Sequence, residues 1–254
     1  MWCAGMVGVL SLLFVDFNAL AQKIPMPEGQ EPPAITPLIK IASLIQPLVL
    51  VAIGVVVGLA LAHRIGLSAP VAEAIARRKG IWEPLRPQII PGIIGGLVAA
   101  IAIILTAYIA GPHLPADAGE KISGFLALMP LVTRMLYGGI IEELLLRWGF
   151  LTFLVWLAWR IFQKSNGVPR PIFFVGAIIL SAIVFGIGHL PIAYLLFPGR
   201  VDSALTLFVI VANSLFGLIA GFLYWKKGLE AAIVAHMITH LVMFAAGRVG
   251  AYYG

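Results

Sequence analysis

Apolar runs of about 20 residues, each nearly free of charge, recur along the whole chain and constrain its fold more than any other feature. A helix needs about 20 residues to cross a hydrocarbon core of about 30 Å. Of the 254 residues, 61% are hydrophobic and 11% are charged, whereas about 25% of the residues of a soluble domain are charged. These proportions exclude a soluble fold and predict an all-α, polytopic transmembrane helix bundle.

About seven apolar segments are candidates for membrane crossings. They are residues 1–21, 41–62, 89–109, 122–162, 172–190, 204–225 and 229–246. As one straight helix the fourth segment would measure about 60 Å, so it must break. The pair Gly138-Gly139 is the position where a break costs least. We therefore predict about seven to eight membrane helices, with a broken helix near Gly138-Gly139.

One membrane domain accounts for most of the chain. Residues 1–22 are either a transmembrane helix or a signal segment, because residues 19–21 form a small-x-small pattern but the start lacks positive charge. Residues 23–37 are rich in proline and glutamate and are predicted to be an exposed linker. Residues 38–254 form the predicted membrane domain.

The formal net charge of +6 does not indicate nucleic-acid binding. The basic residues form short clusters between apolar runs and do not line one folded face. Such clusters set the orientation of a membrane protein instead. We predict an integral protein of the bacterial inner (plasma) membrane that contacts membrane lipids and no nucleic acid.

The first group of ionisable residues at membrane depth is Glu142-Glu143, with Arg147 following. Such residues are costly in a membrane and indicate a functional site by default. Glu143 and Arg147 have the spacing of a helical ion pair, which can be purely structural. Glu142 points about 100° away on a helix, so the arginine cannot readily serve both acids. Glu142 is therefore either a general base or an acid at a wet helix start.

Histidines occupy two further apolar segments. His189 follows Phe185-Gly186-Ile187-Gly188, where the glycines leave room for a ligand. His236 and His240 lie one helical turn apart, a spacing that can hold a metal but lacks the glutamate of the His-Glu-x-x-His helix. Hydrogen bonding between helices is the alternative. The three histidines and Glu142 all lie in otherwise apolar helices. The most economical explanation is that they come together at one site.

Together the motifs resemble the family of CAAX proteases and bacteriocin-processing enzymes (CPBP), the relatives of type II CAAX prenyl endopeptidase, also called the Abi family. The resemblance covers about residues 122–246 and has three motifs in order. The matching residues are Glu142, Glu143 and Arg147 in the first motif, Phe185 and His189 in the second, and His236 after Gly228-Leu229 in the third. The resemblance implies a supporting role for Glu143, Arg147 and Phe185.

The resemblance further implies an intramembrane endopeptidase in which Glu142 and His189 activate water while His236 and His240 hold the oxyanion. Its substrate would be a peptide or lipidated protein at the membrane, and C-terminal lipidation of that substrate stays open. No cofactor is implied by the glutamate mechanism.

Position 240 departs from the eukaryotic pattern, which has asparagine four residues after the third-motif histidine, where this chain has His240. Imidazole can donate a hydrogen bond as an amide does, but only in the right tautomer. The departure makes a divalent metal such as zinc a more credible alternative. Its ligands would be Glu142, His189, His236 and His240.

Two other classes of function are compatible with these residues. A catalytically silent membrane immunity or scaffold protein can use the same fold to bind a partner. A proton-coupled transporter would also place carboxylates and histidines inside the membrane, but it should contain a repeat, and the sequence has no internal repeat. The retained motifs favour the enzyme.

Overall fold

The computed structural model describes residues 1–22 and 34–248, which contain helices and turns but no β-strand. The predicted all-α class is confirmed. Most of the predicted linker at residues 23–37 lies outside the described residues, and the first helix after it begins at Pro37.

Pro130 separates the α-helices into two groups along the chain. Those before it are α1 (Trp2–Ser11), α2 (Phe17–Ala21), α3 (Pro37–Ala42), α4 (Ile45–Leu61), α5 (Pro70–Ala76), α6 (Trp82–Ala110) and α7 (Ala118–Ala127). Those after it are α8 (Leu131–Thr133), α9 (Thr152–Phe162), α10 (Pro171–Gly188), α11 (Leu190–Leu196), α12 (Ser203–Lys227) and α13 (Leu229–Arg248). Between α8 and α9 the chain is π-helical over Arg134–Glu142 and Leu144–Leu151, which we call the π stretch.

Within residues 1–22 and 34–248, five helical segments are long and apolar enough to cross a membrane, and a bent pair makes a sixth. They are Pro37–Ile65, Trp82–His113, Pro171–Leu196, Ser203–Lys227 and Leu229–Arg248, with the bent pair Ala118–Ala127 and Leu131–Phe162. In the five single segments only 22% to 39% of the most apolar window is buried inside the bundle, which leaves apolar surface for contact with lipid. The chain is an integral membrane protein.

The number of spans agrees roughly with the predicted seven to eight, and the difference has two sources. The first predicted segment contains only the shorter apolar helix Trp2–Phe14. The long fourth segment, which was expected to break into two helices, does so, but the two helices count as one bent span.

The predicted helix break exists, but its predicted position near Gly138-Gly139 was wrong. The chain bends by 89° between Ala118–Ala127 and Leu131–Phe162. Pro130 at this bend has ψ of 139°, which is not helical, and proline cannot donate the backbone hydrogen bond that would continue α7. The two glycines lie instead inside the π stretch, against α13.

Small residues bring α6 and α13 into close contact. A Cβ atom at Gly96 would lie 2.5 Å from the carbonyl oxygen of Ala235, and one at Gly92 would lie 2.9 Å from that of Ala231. Thr239 Oγ1 donates a hydrogen bond of 3.1 Å to Gly96 O across this interface. Small residues of this kind let membrane helices pack by their backbones. The packing fixes α13, which carries two of the predicted site histidines.

An ion pair joins the start of α7 to the loop before α12. Arg200 donates hydrogen bonds of 2.9 and 2.8 Å to the two carboxylate oxygens of Asp117. Lys121 Nζ lies 3.2 Å from the same carboxylate. The hydrogen bond from Arg200 holds the pKa of Asp117 well below its usual range. The two loops are therefore tied together by a carboxylate that stays ionised in acid.

The pH dependence of stability should reveal this ion pair. Because folding lowers the pKa of Asp117, the pair contributes stability above the usual aspartate pKa of about 3.9 and loses it as the pH falls through the lowered value. We expect Asp117→Asn to lower the melting temperature slightly at about pH 6, and this difference from wild type to shrink towards about pH 3. Glu120→Gln, at an exposed neighbouring position, is the control. A difference that does not change with pH would contradict the assignment.

Candidate active site

The first motif lies on the π stretch, which presents its two glutamates to different surroundings. The side chain of Glu143 is fully buried, whereas that of Glu142 is 21% exposed and lines a cavity. Helical segments with i→i+5 hydrogen bonds are rare and occur frequently at functional sites. Glu142 is therefore the acid that can meet a ligand.

Glu143 and Arg147 form the ion pair that their spacing predicts. Arg147 Nη1 lies 3.0 Å from Glu143 Oε1, and both side chains are buried. Arg147 Nη2 also donates a hydrogen bond of 3.3 Å to Gly217 O on α12. The guanidinium lies 4.9 Å from the ring centre of Phe185 and 5.2 Å from that of Phe216, within the range of cation–π contacts. Arg147 thus connects the π stretch, α10 and α12.

His236 lies between the two glutamates. Its Nδ1 atom is 2.8 Å from Glu143 Oε1, and its Nε2 atom is 3.7 Å from Glu142 Oε2. A carboxylate paired with Arg147 only accepts hydrogen bonds, so the hydrogen of the neutral imidazole is assigned to Nδ1. Nε2 then carries a lone pair that faces Glu142.

His240 stacks on His236, and both lie against Gly138. The two imidazole centres are 4.8 Å apart and the ring planes differ by 17°. A Cβ atom at Gly138 would overlap Nε2 of His240 and would lie 3.2 Å from Nε2 of His236. Gly138 therefore allows the π stretch to approach the two imidazoles, a role different from the predicted break.

His189 follows the last residue of α10, and a backbone carbonyl group of α10 holds its imidazole ring. His189 Nδ1 lies 2.8 Å from the carbonyl oxygen of Phe185, which only accepts hydrogen bonds. Nδ1 must therefore donate, which leaves Nε2 as an acceptor in the neutral ring. The Phe185 ring contacts His189 edge-on at 4.7 Å between centres and lies 6.0 Å from His236. Phe185 thus packs beside two of the three histidines.

A cavity of about 300 Å³ unites the predicted site residues. The polar and ionisable side chains in its wall are Thr133, Arg134, Tyr137, Glu142, His189, Asn213, His236, Thr239 and His240. The remaining wall is apolar and comes mainly from α6, α7, α11 and α12. Glu142 and all three predicted histidines therefore border one largely apolar space.

Several residues of the site carry no signal in the sequence. Phe216 packs 4.1 Å from the His236 ring centre, but a phenylalanine in an apolar helix is ordinary. Asn213 lines the cavity and donates its own hydrogen bond to Val209 O. Tyr137 lies on the π stretch and lines the same cavity. Only the charged neighbours of Tyr137 could have drawn attention to it.

The predicted alternative metal ligands border the cavity together, but their geometry is not that of a metal site. In the described parts of the chain, no three His, Cys, Asp or Glu side chains are arranged so that they could hold a metal ion. Catalytic zinc sites have three protein ligands.

Comparison with known proteins finds a similarity to one family. The family model described as Type II CAAX prenyl endopeptidase Rce1-like matches residues 123–242. No curated protein and no solved structure matches the chain. The matched region begins in α7, ends in α13 and includes every site residue predicted from the motifs. Over residues 123–242, the chain is similar to the type II CAAX prenyl endopeptidase Rce1-like family.

Proposed function

We propose that this protein is an intramembrane endopeptidase that hydrolyses peptide bonds of membrane-associated proteins or peptides. The observation that carries the proposal is that Glu142, His189, His236 and His240 border one cavity inside the helix bundle. Similarity to the family model over residues 123–242 supports the same class of reaction. Glu142 is the general base, because it is the glutamate that reaches the cavity.

Water activation requires a base and a second acceptor that orients the water. Glu142 supplies the base, and Nε2 of His189 supplies an acceptor, since Nδ1 of that ring donates to Phe185 O. The activated water attacks the peptide carbonyl carbon, and negative charge develops on the carbonyl oxygen. His240 faces the same cavity and donates a hydrogen bond to this oxyanion, as the third-motif residues of the family are expected to do.

The apolar part of the cavity favours a substrate with a hydrophobic segment. Ile122 and Phe125 of α7 face the cavity together with Leu196 of α11 and Phe208 of α12. A lipid chain or a row of apolar side chains would bury its surface against these residues. We therefore propose a substrate anchored in the membrane by lipid or by its own apolar sequence, and the bacterial plasma membrane as the site of reaction.

We propose that the reaction needs no metal. The described residues offer no three-ligand group for a metal, which supports this proposal. The glutamate mechanism instead uses Glu142 to take the proton that a zinc ion would otherwise help to remove from water.

The experiment is cleavage by the purified protein in lipid nanodiscs. Peptides with a C-terminal prenyl group, with an acyl group and with an unmodified apolar segment are incubated with the protein, and products are identified by mass spectrometry. We expect cleavage of at least one membrane-anchored peptide at an unchanged rate in a chelator. Chelator inhibition that added zinc reverses would overturn the metal-free mechanism. Absence of cleavage would favour the silent scaffold or immunity protein.

Gly138→Ala should lower the cleavage rate because the new methyl group would displace His240. A displacement of about 1 Å in a catalytic group can cost about 100-fold in rate. We expect a loss of about 10- to 100-fold, measured as kcat for the best peptide substrate. Gly176→Ala, where a Cβ atom meets nothing within 4 Å, is the control and should keep the wild-type rate. Equal rates in both variants would show that the approach of the π stretch to His240 is unimportant.

A further inference from the structure

We propose that His236 carries the proton from Glu142 to the leaving amine, and that Glu143 is the positioning residue that prepares it for this step. The inference rests on the proposed peptide hydrolysis and changes the role that family resemblance implies for His236. An oxyanion donor must present a hydrogen to the cavity. The contacts of His236 present a lone pair instead.

The contacts of His236 determine its tautomer. Glu143 accepts from Nδ1 at 2.8 Å and is itself paired with Arg147 at 3.0 Å. All three side chains are buried, so this chain of contacts is shielded from bulk solvent. The neutral imidazole therefore has its hydrogen on Nδ1 and cannot donate from Nε2. A carboxylate that orients an imidazole in this way is the arrangement that general acid–base enzymes use.

Glu142, the proposed base, lies close to Nε2 of His236, the proposed proton acceptor. Nε2 of His236 lies 3.7 Å from Glu142 Oε2. This separation is larger than a hydrogen bond, but catalytic contacts are often long before substrate binds and shorten in the complex. A movement of less than about 1 Å would allow direct proton transfer. The proton taken from water by Glu142 thus has an acceptor beside it.

Two carboxylates flank the imidazolium that this proton transfer would form on His236. Glu143 faces one ring nitrogen and Glu142 the other, so a positive charge on His236 lies between two carboxylates. The Phe216 ring packs 4.1 Å from the imidazole and excludes water from one side. The other ionisable side chains of the surrounding helices that border the ring or the cavity are Arg134, Tyr137, Arg147, His189 and His240. Two acids in contact with His236 make it the imidazole best suited to hold a proton transiently.

The proposed path moves one proton from the attacking water to the leaving amine. Glu142 takes a proton from water as the water oxygen forms its bond to the peptide carbonyl carbon. Glu142 passes this proton to Nε2 of His236, and the imidazolium gives it to the peptide nitrogen as the carbon–nitrogen bond breaks. The amine leaves neutral, the new carboxyl group stays with the other product, and both side chains return to their starting states.

Two substrates with the same acyl part distinguish a proton carrier from an oxyanion donor. One is the peptide amide, whose nitrogen must be protonated to leave, and the other is the nitrophenyl ester, whose leaving group needs no proton. We expect His236→Gln to lower kcat/KM for the amide by about 100-fold or more and for the ester by less than about tenfold. Retained ester hydrolysis also demonstrates that the variant is folded.

An equal loss for both substrates would overturn the inference, because both pass through an oxyanion and its loss costs about 10²- to 10³-fold in each. Unchanged amide hydrolysis would overturn it as well. Glu142→Gln keeps the proposed function separately testable, since both substrates need activated water and both rates should fall. Ester and amide rates that survive Glu142→Gln would reject the glutamate mechanism itself.

Chemical rescue gives a second, independent variant. We expect His236→Ala to lose amide hydrolysis and to regain at least tenfold when imidazole is added, because the vacated space adjoins the cavity. After the direct reaction of imidazole with the ester, measured without enzyme, is subtracted, imidazole should not change the enzymatic ester rate. Lack of rescue for the amide in a variant that still hydrolyses the ester would contradict proton transfer through this position.

The positioning role of Glu143 has its own measurement. Glu143→Gln with Arg147→Met removes both charges of the buried pair together and avoids leaving one unpaired. We expect the amide rate to fall at least tenfold while the ester rate stays within about threefold of wild type, since His236 loses its orienting carboxylate but water activation remains. A merely structural role would lower both rates in parallel.

Discussion

Glu142→Gln is expected to lower kcat for peptide hydrolysis by about 10²- to 10⁴-fold, the range that a general base contributes. The amide keeps the size of the side chain but cannot accept the proton of the attacking water. The change should leave folding intact, because Glu142 is partly exposed to the cavity. Its ionic contact with His236, at 3.7 Å, is longer than a hydrogen bond. The measurement is kcat on the best membrane-anchored peptide.

Glu83→Gln is the matched control for this variant. Glu83 lies at the start of α6, is exposed and does not line the cavity. It should keep the wild-type rate and melting temperature. A Glu142→Gln protein that is as active as the Glu83→Gln protein would remove Glu142 from the mechanism.

Arg147→Met should produce the largest loss of stability. It leaves the fully buried carboxylate of Glu143 without its cation and removes the hydrogen bond to Gly217 O. Breaking one partner of a buried ion pair costs about 3–5 kcal/mol in the free energy of unfolding. Unfolding in detergent with increasing denaturant measures this change.

Two further variants define the cause of the loss. The double variant Glu143→Leu with Arg147→Met removes both buried charges and should recover most of the lost stability, because replacing a whole buried pair by apolar residues is often neutral. Arg200→Met breaks a half-exposed ion pair with Asp117 and should change stability much less. A double variant as unstable as Arg147→Met alone would contradict the assignment of the loss to an unpaired charge.

The ionisable residues of the candidate site can be picked out from the sequence because charge is expensive inside a membrane. Ionisable residues in apolar segments are costly and therefore indicate a functional site. In this chain they include Glu142, His189, His236 and His240. Their convergence on one cavity agrees with that expectation. The Glu143–Arg147 pair likewise follows from spacing alone, since residues four apart face each other on a helix.

Other features depend on three-dimensional packing and leave no pattern in the sequence. Gly138 resembles a helix breaker, yet it lies against His240 inside a continuous π-helical segment, and the chain bends earlier, at Pro130. Phe216 is one of many apolar residues on α12, and only the crossing with α13 brings it to His236. The contact between Glu143 and Nδ1 of His236 joins residues 93 positions apart. No spacing rule reaches that far.

The most direct test of the central claim is the source of the oxygen in the cleaved bond. Wild-type protein is incubated with its best membrane-anchored peptide in ¹⁸O-labelled water, with Glu142→Gln as the blank, and the products are weighed by mass spectrometry. The proposed mechanism predicts two complementary fragments, with one ¹⁸O atom in the new carboxyl group after a single turnover, and at least about 100-fold less of both fragments from the variant in the same time. Intact peptide with the wild-type protein, or fragments produced equally by Glu142→Gln, would contradict it.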